Sequence, residues 1–309
     1  MTLKGYKEEA RRLRILMSGA SGMIGRPLKT LLTKSGHSVH TLVRKTTSSP
    51  SEHRWDPASG EIEAGILSHI DVVVNLSGAS IGRIPWTPRH KRAILDSRIS
   101  ATTTLLKALK GSEKTPEQLV QASAVGFYGD RGDDDLTEES SRGSGYLSEV
   151  VEKWEGVARE LVPEETRLSL ARTGLVLGKG GALSPLRLQT ALGVGGKIGT
   201  GHQWWPWISL NDVVRAYLHL IEGTASEGIY NLVGPSASTS MEITTELAKQ
   251  MKRPHWVGLP SFAVPLLGEA GPELLLTSRK IAPIRLEEEG FVFQDTTVSK
   301  AIARALTSD

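Results

Sequence analysis

Three glycines near the start of the chain have the spacing of a phosphate-binding turn. Gly19, Gly22 and Gly25 follow a predicted strand over residues 14–18 and open a predicted helix over residues 24–34. Glycine here lets the chain turn tightly and lets the backbone approach a pyrophosphate, which the N–H groups at a helix start attract. A glycine-rich turn without a ligand is the alternative, but the strand and helix that the motif requires are both predicted. We therefore predict a dinucleotide site that also includes Ser21, Met23 and Ile24.

Two cations stand where the choice of dinucleotide is decided. The second predicted strand, over residues 38–44, ends about 20 residues after the turn, where an acidic residue would bind a ribose 2′-hydroxyl group. The chain has Arg44 and Lys45 there instead. Because a guanidinium group pairs with a phosphate through two hydrogen bonds, we predict NADP(H) in preference to NAD(H). A solvated basic strand end is the alternative.

The composition of the chain limits the other classes of function. Its 309 residues are 39% hydrophobic and 23% charged, as in a folded protein of one large domain or two modest ones. The 37 Lys and Arg residues against 34 Asp and Glu residues leave a net charge of +3, too small for a nucleic-acid footprint. The absence of cysteine excludes thiol chemistry and disulfides, and the histidines lack metal-ligand spacing.

The same sequence contains no targeting or membrane-spanning pattern. No apolar run approaches the ~20 residues that cross a bilayer, and the charged start has no apolar segment behind it. We therefore expect a cytoplasmic protein, monomeric or homodimeric, whose partner is a small-molecule substrate and not a membrane or a nucleic acid.

Strands alternate with helices over the first half of the chain. Strands are predicted at residues 14–18, 38–44, 54–56, 71–76, 118–123 and 167–177, and helices at 24–34, 91–109 and 146–161. This alternation predicts an α/β fold, a doubly wound parallel sheet of Rossmann type. We expect a polar leader at 1–13, a dinucleotide-binding domain at 14–178 with parts of 205–235, and a smaller C-terminal α+β substrate lobe at 179–305.

Several short motifs in a fixed order resemble a known family. They are the glycine turn, Asn-Leu-Ser-Gly-Ala at 75–79, Ser97-Arg98, Ser-Ala-Val-Gly-Phe-Tyr-Gly at 123–129, Trp154-Glu155, Gly-Thr-Gly-His-Gln-Trp-Trp-Pro-Trp-Ile at 199–208 before Asp212, and the segment 279–293. Over residues 14–305 the chain resembles the extended short-chain dehydrogenases/reductases of the nucleotide-sugar epimerase type. More specifically, it is similar to their YfcH-like "epimerase family" branch.

The resemblance implies an NADP-binding Rossmann domain with a substrate lobe. The glycine turn would hold the pyrophosphate, and Arg44 with Lys45 would meet the 2′-phosphate. The remaining cofactor residues that it implies are Leu76, Ser77, Gly78, Arg98 and Gly174, and its substrate pocket would include Tyr128, Gln203, Trp204 and Trp205.

The catalytic residues of that superfamily are matched only in part. Its acid–base tyrosine precedes a lysine by four residues, and the lysine lowers the pKa of the phenol. Tyr146 is the candidate tyrosine, but Val150 stands in the lysine position, and Ala124 stands where a hydroxyl is usual, with Ser123 beside it. We therefore expect Tyr146 to stay protonated at pH 7 and to be a poor general base, with Ser123 as its candidate hydroxyl partner.

His202 is an alternative proton donor beside the tryptophan-rich segment. Imidazole titrates near neutral pH, and indole rings offer flat faces with N–H donors to a ligand. A buried tryptophan plug with a hydrogen-bonded turn histidine is an equal alternative. Three functions follow: an NADP(H)-dependent oxidoreductase of unknown substrate, a catalytically silent NADP(H)-binding sensor or scaffold, and, ranked last, a nucleotide-sugar epimerase.

Overall fold

Short runs of aliphatic residues form the strands of a central sheet. The structure, a computed structural model, describes residues 11–223 and 227–307, so the first ten residues of the predicted leader lie outside it. The strands are β1 (Arg14–Ser18), β2 (Ser38–Val43), β3 (Glu52–Asp56), β4 (Glu61–Ile62), β5 (Val72–Asn75), β6 (Gln118–Ala124), β7 (Asp135–Leu136), β8 (Arg167–Thr173), β9 (Leu175–Leu177), β10 (Trp207–Ser209), β11 (Gly228–Leu232) and β12 (Lys280–Ile281). Eight of them form one sheet in the order β11-β8-β6-β5-β1-β2-β3-β4.

The helices connect these strands and cover both faces of the sheet. They are α1 (Gly25–Lys34), α2 (Pro88–Lys110), α3 (Tyr146–Leu161), α4 (Leu183–Ala191), α5 (Leu210–Glu222), α6 (Ser240–Gln250), α7 (Ile284–Glu288) and α8 (Val298–Thr307). In β1, Ile15 and Met17 belong to the core under α1 and α5, whereas Leu16 belongs to the core that includes Leu105 of α2 and Ala158 of α3. This alternation is the period of a strand that is buried on both faces. The predicted doubly wound α/β fold is therefore confirmed.

The parallel register brings the ends of three strands to one edge. Met17 of β1 pairs with Thr41 of β2, and Ser18 of β1 pairs with Asn75 of β5. The segments that follow β1, β2 and β5 therefore emerge side by side, at the carboxyl ends where open α/β sheets bind their ligands. The glycine turn, the Arg44–Lys45 pair and the loop after Asn75 are these three segments.

The strand predicted at residues 167–177 forms two separate strands in the structure. Residues 167–177 divide at Gly174, because β8 continues the large sheet while β9 pairs with β10 in a separate two-stranded sheet. The Gly174 N–H donates to the Leu232 carbonyl oxygen at 3.0 Å, and the next N–H, of Leu175, donates to Pro206 at 2.6 Å. A side chain at Gly174 would collide with the Pro206 carbonyl oxygen, so this glycine is required by the crossing of the two segments.

The C-terminal part of the chain has an apolar core of its own. Trp205 and Trp207 are buried there with side chains of α4, α6 and α8. The strands β7 and β12 form a further two-stranded parallel sheet that ties residue 135 to residue 280. Among the described residues, no helix combines the length and the apolar character that a membrane span requires.

Candidate functional site

Contacts within the chain themselves require glycine at two positions of the glycine turn. Gly19 has φ +67°, and a Cβ atom there would lie 2.7 Å from the Leu76 carbonyl oxygen. A Cβ atom at Gly25 would collide with the Gly19 carbonyl oxygen. Gly22 is different, because it is exposed and a Cβ atom there would lie 3.2 Å from its nearest neighbour, the Gly19 carbonyl oxygen. The fold itself therefore tolerates a side chain at Gly22 better than at Gly19 or Gly25.

The turn exposes backbone at the start of α1. Ser21 is exposed, no side chain caps the first turn of the helix, and Met23 and Ile24 are half-buried against the core below. Met23 also touches the loop after β9, since a Cβ atom at Gly181 would lie 2.8 Å from its sulfur. A helix start without a capping side chain offers N–H groups to a pyrophosphate, and the glycines let the backbone approach it, so the turn fits a dinucleotide.

Arg44 and Lys45 lie at the same edge as the turn, directly after β2. Both side chains are exposed, and within the described ranges Arg44 makes no ion pair or side-chain hydrogen bond. Lys45 acts on Glu52, whose pKa is lowered mainly by hydrogen bonds from Ser48 and to a smaller extent by the charge of Lys45. A free guanidinium group is therefore available beside the turn.

A buried asparagine links the turn to the loop after β5. The Asn75 side-chain oxygen accepts from the Ser18 hydroxyl at 2.5 Å and from the Ser77 N–H at 3.2 Å. Its amide nitrogen donates to Gln121 of β6 at 2.9 Å and to Thr102 of α2 at 3.2 Å. The start of the loop 76–78 is thus held at Ser77 by a side chain that sequence reasoning treated only as part of a motif.

Arg98 of α2 packs against that loop. Its Nη1 atom donates to the carbonyl oxygens of Ala79 at 3.1 Å and Ile94 at 2.8 Å, and a Cβ atom at Gly78 would lie 3.1 Å from its Cζ. The guanidinium group also lies over the Trp154 ring, 5.0 Å from the ring centroid. Burial lowers the pKa of Arg98 to about 10, so the side chain remains a cation at neutral pH.

Tyr146 is the first residue of α3 and contacts α2. Its hydroxyl group donates to the Lys91 carbonyl oxygen at 2.6 Å, and the Lys91 Nζ atom lies 4.3 Å from the centre of its ring. The pKa of the phenol is raised, chiefly by burial, while the positive charge of Arg98 opposes the rise. Val150 provides no cation to this phenol from α3, whereas Lys91 of α2 places its ammonium group over the ring.

A cleft opens beside Tyr146. It has a volume of about 410 Å³ and is lined by Trp86, Pro88, Lys91, Arg92, Leu95, Tyr146 and Glu269. The Trp86 ring meets the Tyr146 ring edge to face at 5.4 Å. The cleft thus joins an aromatic wall to charged groups at its rim, which suits a small amphipathic molecule.

Ser123 and Tyr128 lie in a buried polar network and not at this cleft. The Ser123 hydroxyl donates to the Glu155 carboxylate at 2.5 Å, and Glu155 makes a two-point ion pair with Arg172 at 2.8 Å for each contact. Arg172 also donates to the Tyr128 hydroxyl at 3.0 Å, and that hydroxyl donates to the Asn231 amide oxygen at 2.8 Å.

The electrostatics of this network are those of a structural ion pair. Burial alone would raise the pKa of the Glu155 carboxyl group, but hydrogen bonds and charge from Arg172 outweigh burial and hold that pKa below its usual range. Burial raises the pKa of the Tyr128 phenol. Both groups therefore have partners that position them in the core, and neither lines the cleft.

The tryptophan-rich segment also divides between core and surface. Gln203 is buried and donates to the carbonyl oxygens of Ile198 and Leu275 at 2.9 Å, and Trp205 is buried in the C-terminal core. Trp204 is half-buried and its indole N–H donates to Asp133 at 2.8 Å. His202 is exposed. Within residues 11–223 and 227–307, no group of acidic and histidine side chains is arranged to hold a metal ion.

Comparison with known proteins assigns the chain to a family. Residues 15–150 match the NAD dependent epimerase/dehydratase family, and residues 259–305 match a domain of unknown function, DUF1731. An epimerase family protein of Mycobacterium leprae is 37% identical over 302 residues, which cover 97% of this chain and 98% of that protein. One from Staphylococcus saprophyticus is 35% identical over 285 residues, covering 90% and 94%.

Solved structures agree with this assignment. The human epimerase family protein SDR39U1 with NADPH superposes with a TM-score of 0.85 at 31% identity, covering 95% of this chain and 99% of that chain. A nucleoside-diphosphate sugar epimerase from Corynebacterium glutamicum superposes with a TM-score of 0.80 at 33% identity, covering 96% of this chain and 59% of that chain. The family resemblance indicated by the sequence motifs is confirmed: the chain belongs to the epimerase family of extended short-chain dehydrogenases/reductases, with the DUF1731 segment at its C-terminal end.

Proposed function

We propose that the protein binds NADP(H) across the carboxyl edge of its sheet. The glycine turn would hold the pyrophosphate, and the unpaired Arg44 with Lys45 would bind the 2′-phosphate, since two cations replace the acid that an NAD site uses. The loop 76–78, with Arg98 behind it, would line the cofactor further along the same edge. The human relative, at 31% identity, was solved with NADPH, which supports the same cofactor here.

We further propose that the protein reduces a carbonyl group of a small molecule. The observation that carries this proposal is the place of Tyr146, half-buried at the cleft of about 410 Å³ and beside two cations of α2. A phenol with a raised pKa is fully protonated at neutral pH, which suits a proton donor and not a base.

The chemistry divides between cofactor and protein. When bound, NADPH supplies a hydride to the carbonyl carbon. Tyr146 gives its hydroxyl proton to the carbonyl oxygen, which completes the alcohol and leaves a phenolate on Tyr146. Water then returns a proton to Tyr146. The cleft walls, Trp86 and Leu95 among them, would hold the substrate.

Two other functions have specific support. The Tyr146 hydroxyl already donates its proton to the Lys91 carbonyl oxygen. Because this bond occupies the proton that a substrate would need, it favours a catalytically silent NADP(H)-binding protein. A sugar epimerase is suggested by the name of the Corynebacterium glutamicum relative. Epimerisation needs the same group to act as a base, which the raised pKa of Tyr146 disfavours. His202 is exposed and is the second candidate for the proton donor.

Incubation of the purified protein with NADPH and a panel of aldehydes, ketones and nucleotide sugars separates these functions. The proposal predicts that at least one compound is reduced, with one NADPH consumed for each alcohol formed. Bound NADPH that no compound consumes would support the silent binder. A sugar isomerised without net consumption of the cofactor would support the epimerase.

A further inference from the structure

The lysine position of α3 is occupied by an apolar contact. Tyr146 and Val150 follow each other at helical spacing on one face of α3, with Trp154 one turn further. Val150 is 3% exposed and belongs to an apolar cluster with Trp86 and Ile94. A charged side chain at position 150 would have to enter this cluster, so any cation that serves Tyr146 must come from another element.

The helix α2 lies beside α3 and runs in the same direction. Lys91, near the start of α2, lies over the Tyr146 ring, and Arg98, two turns later, lies over the Trp154 ring. Ile94, between these two cations, packs in the same cluster as Val150. The Arg98 Nη1 atom donates to the Ile94 carbonyl oxygen at 2.8 Å, and the Tyr146 hydroxyl donates to the Lys91 carbonyl oxygen at 2.6 Å. These two carbonyl oxygens lie one turn apart on the same side of α2, so the guanidinium group and the phenol are close to each other.

These two cations differ, because Lys91 is paired with a carboxylate and Arg98, among the residues that the structure describes, is not. The Lys91 Nζ atom contacts both carboxylate oxygens of Glu269 at 2.8 Å, so its charge is largely balanced. Arg98 donates to two backbone carbonyl oxygens, and in the described part of the chain no carboxylate lies within ion-pair distance of it. A glycine at position 78 leaves the space in which this guanidinium group is held.

We infer that Arg98 is the positioning residue that supplies to Tyr146 the positive charge of the missing lysine. The inference rests on the proposed function, in which Tyr146 is left as a phenolate after it gives up its proton. A cation held near a phenolate lowers the free energy of that charged form, and partial burial of the pair strengthens the interaction. Arg98 therefore acts through Tyr146 and does not itself exchange the proton.

The charges around Tyr146 act in opposite directions. Burial raises the pKa of the phenol, the charge of Arg98 lowers it, and the carboxylates of Glu269 and Asp96 raise it. Lys91 adds a cation over the ring, although Glu269 balances it. Removal of the Arg98 charge should consequently leave burial and the two carboxylates unopposed, and the pKa of Tyr146 should rise.

The test measures that pKa directly, in protein without added nucleotide. The ultraviolet absorbance of tyrosinate is followed as the pH rises, and the curve of Tyr146→Phe is subtracted to isolate the Tyr146 phenol. Arg98→Gln, which keeps an N–H donor and loses the charge, should raise the pKa by about one pH unit or more. Arg98→Lys, which keeps the charge, should bring the pKa of Tyr146 most of the way back to the wild-type value.

Two controls make the result specific. The double variant Lys91→Met with Glu269→Gln removes both charges of that pair, leaves the net charge around Tyr146 unchanged, and should move the pKa less than Arg98→Gln does. Arg98→Met is a second neutral variant, whose apolar chain suits the Trp154 ring if the glutamine variant fails to unfold cooperatively. An unchanged Tyr146 pKa in either folded neutral variant overturns the inference. Because no substrate or cofactor takes part, this outcome is independent of whether NADPH-dependent reduction is found.

Discussion

Lys91 fixes Tyr146 through its backbone and its side chain at once. The Tyr146 hydroxyl donates to the Lys91 carbonyl oxygen at 2.6 Å, and the Lys91 ammonium group lies 4.3 Å from the centre of the Tyr146 ring. These two residues are 55 positions apart in the chain. The packing of α2 on α3 therefore sets both the direction of the phenol and part of the charge around it.

The preference for NADPH should depend on Arg44. A charge-assisted hydrogen bond contributes about 1.5–3 kcal/mol, so NADPH should bind about tenfold or more tightly than NADH. Arg44→Ala should lose most of this preference and keep NADH binding, as measured by fluorescence titration with both cofactors. Arg253→Ala, another exposed arginine, is the matched control and should change neither affinity. Equal affinities in the unmodified protein would refute the 2′-phosphate site.

The two outer positions of the glycine turn should respond differently from the middle one. Gly19→Val should destabilise the fold itself, because its Cβ atom would press on the Leu76 carbonyl group and φ is positive there. Gly22→Val should keep a cooperative thermal unfolding transition while NADPH binding falls sharply. Gly156→Ala, in an open position on α3, is the control for both measurements. Unchanged NADPH binding in Gly22→Val would place the phosphates elsewhere.

Loss of the buried ion pair should destabilise the protein strongly. Glu155 and Arg172 are both 1% exposed at the side chain, so removal of one partner leaves a buried charge and should reduce the free energy of unfolding by about 3–5 kcal/mol. Glu155→Gln tests this by urea unfolding, because it leaves the buried Arg172 cation without this carboxylate, whereas Arg172→Met would leave Glu155 paired with Arg159 at 2.8 Å. Glu152→Gln, which breaks the exposed pair with Arg142 on the same helix, should cost at most about 1 kcal/mol. Similar losses in the two variants would contradict this account of the core.

The same ion pair predicts a pH dependence of stability. The pKa of Glu155 is lower in the folded protein than in the unfolded chain. Its contribution is therefore complete above the unfolded value, about 4.3, and is lost as the pH falls through the folded value. Urea unfolding from neutral pH to about pH 3 should show a smaller loss of stability for Glu155→Gln than for the wild type. If the free energy of unfolding fell equally with pH in both proteins, the pKa of Glu155 would not be lowered by folding.

Local signals in the sequence were enough to predict the fold and to locate part of the candidate site. The glycine turn was predictable because its residues are consecutive and the strand and helix around it have clear periods. The sequence also shows Val150 in the position of the lysine, because the tyrosine–lysine spacing lies within one helix. The cations that face Tyr146 come from α2, and no local pattern in α3 indicates which side of α2 it meets.

The sequence also did not predict which face of the sheet each strand residue points to. Ser123 and Ala124 are neighbours in β6 and so point to opposite faces, but the sequence does not say which of them meets α3. The structure turns the Ser123 hydroxyl to Glu155. Trp205 was likewise a candidate for the pocket, and only the packing of α4, α6 and α8 places it in a core.

The rate of Tyr146→Phe tests the central claim most directly. With the carbonyl compound that the wild type reduces fastest, the variant should lose about 10²–10⁴-fold in kcat while its NADPH affinity stays unchanged, because only the proton donor is removed. His202→Ala, measured beside it, should keep most of the activity. A Tyr146→Phe enzyme that reduces the same compound at the wild-type rate would contradict the account, and a large loss in His202→Ala alone would move the proton donor to that histidine.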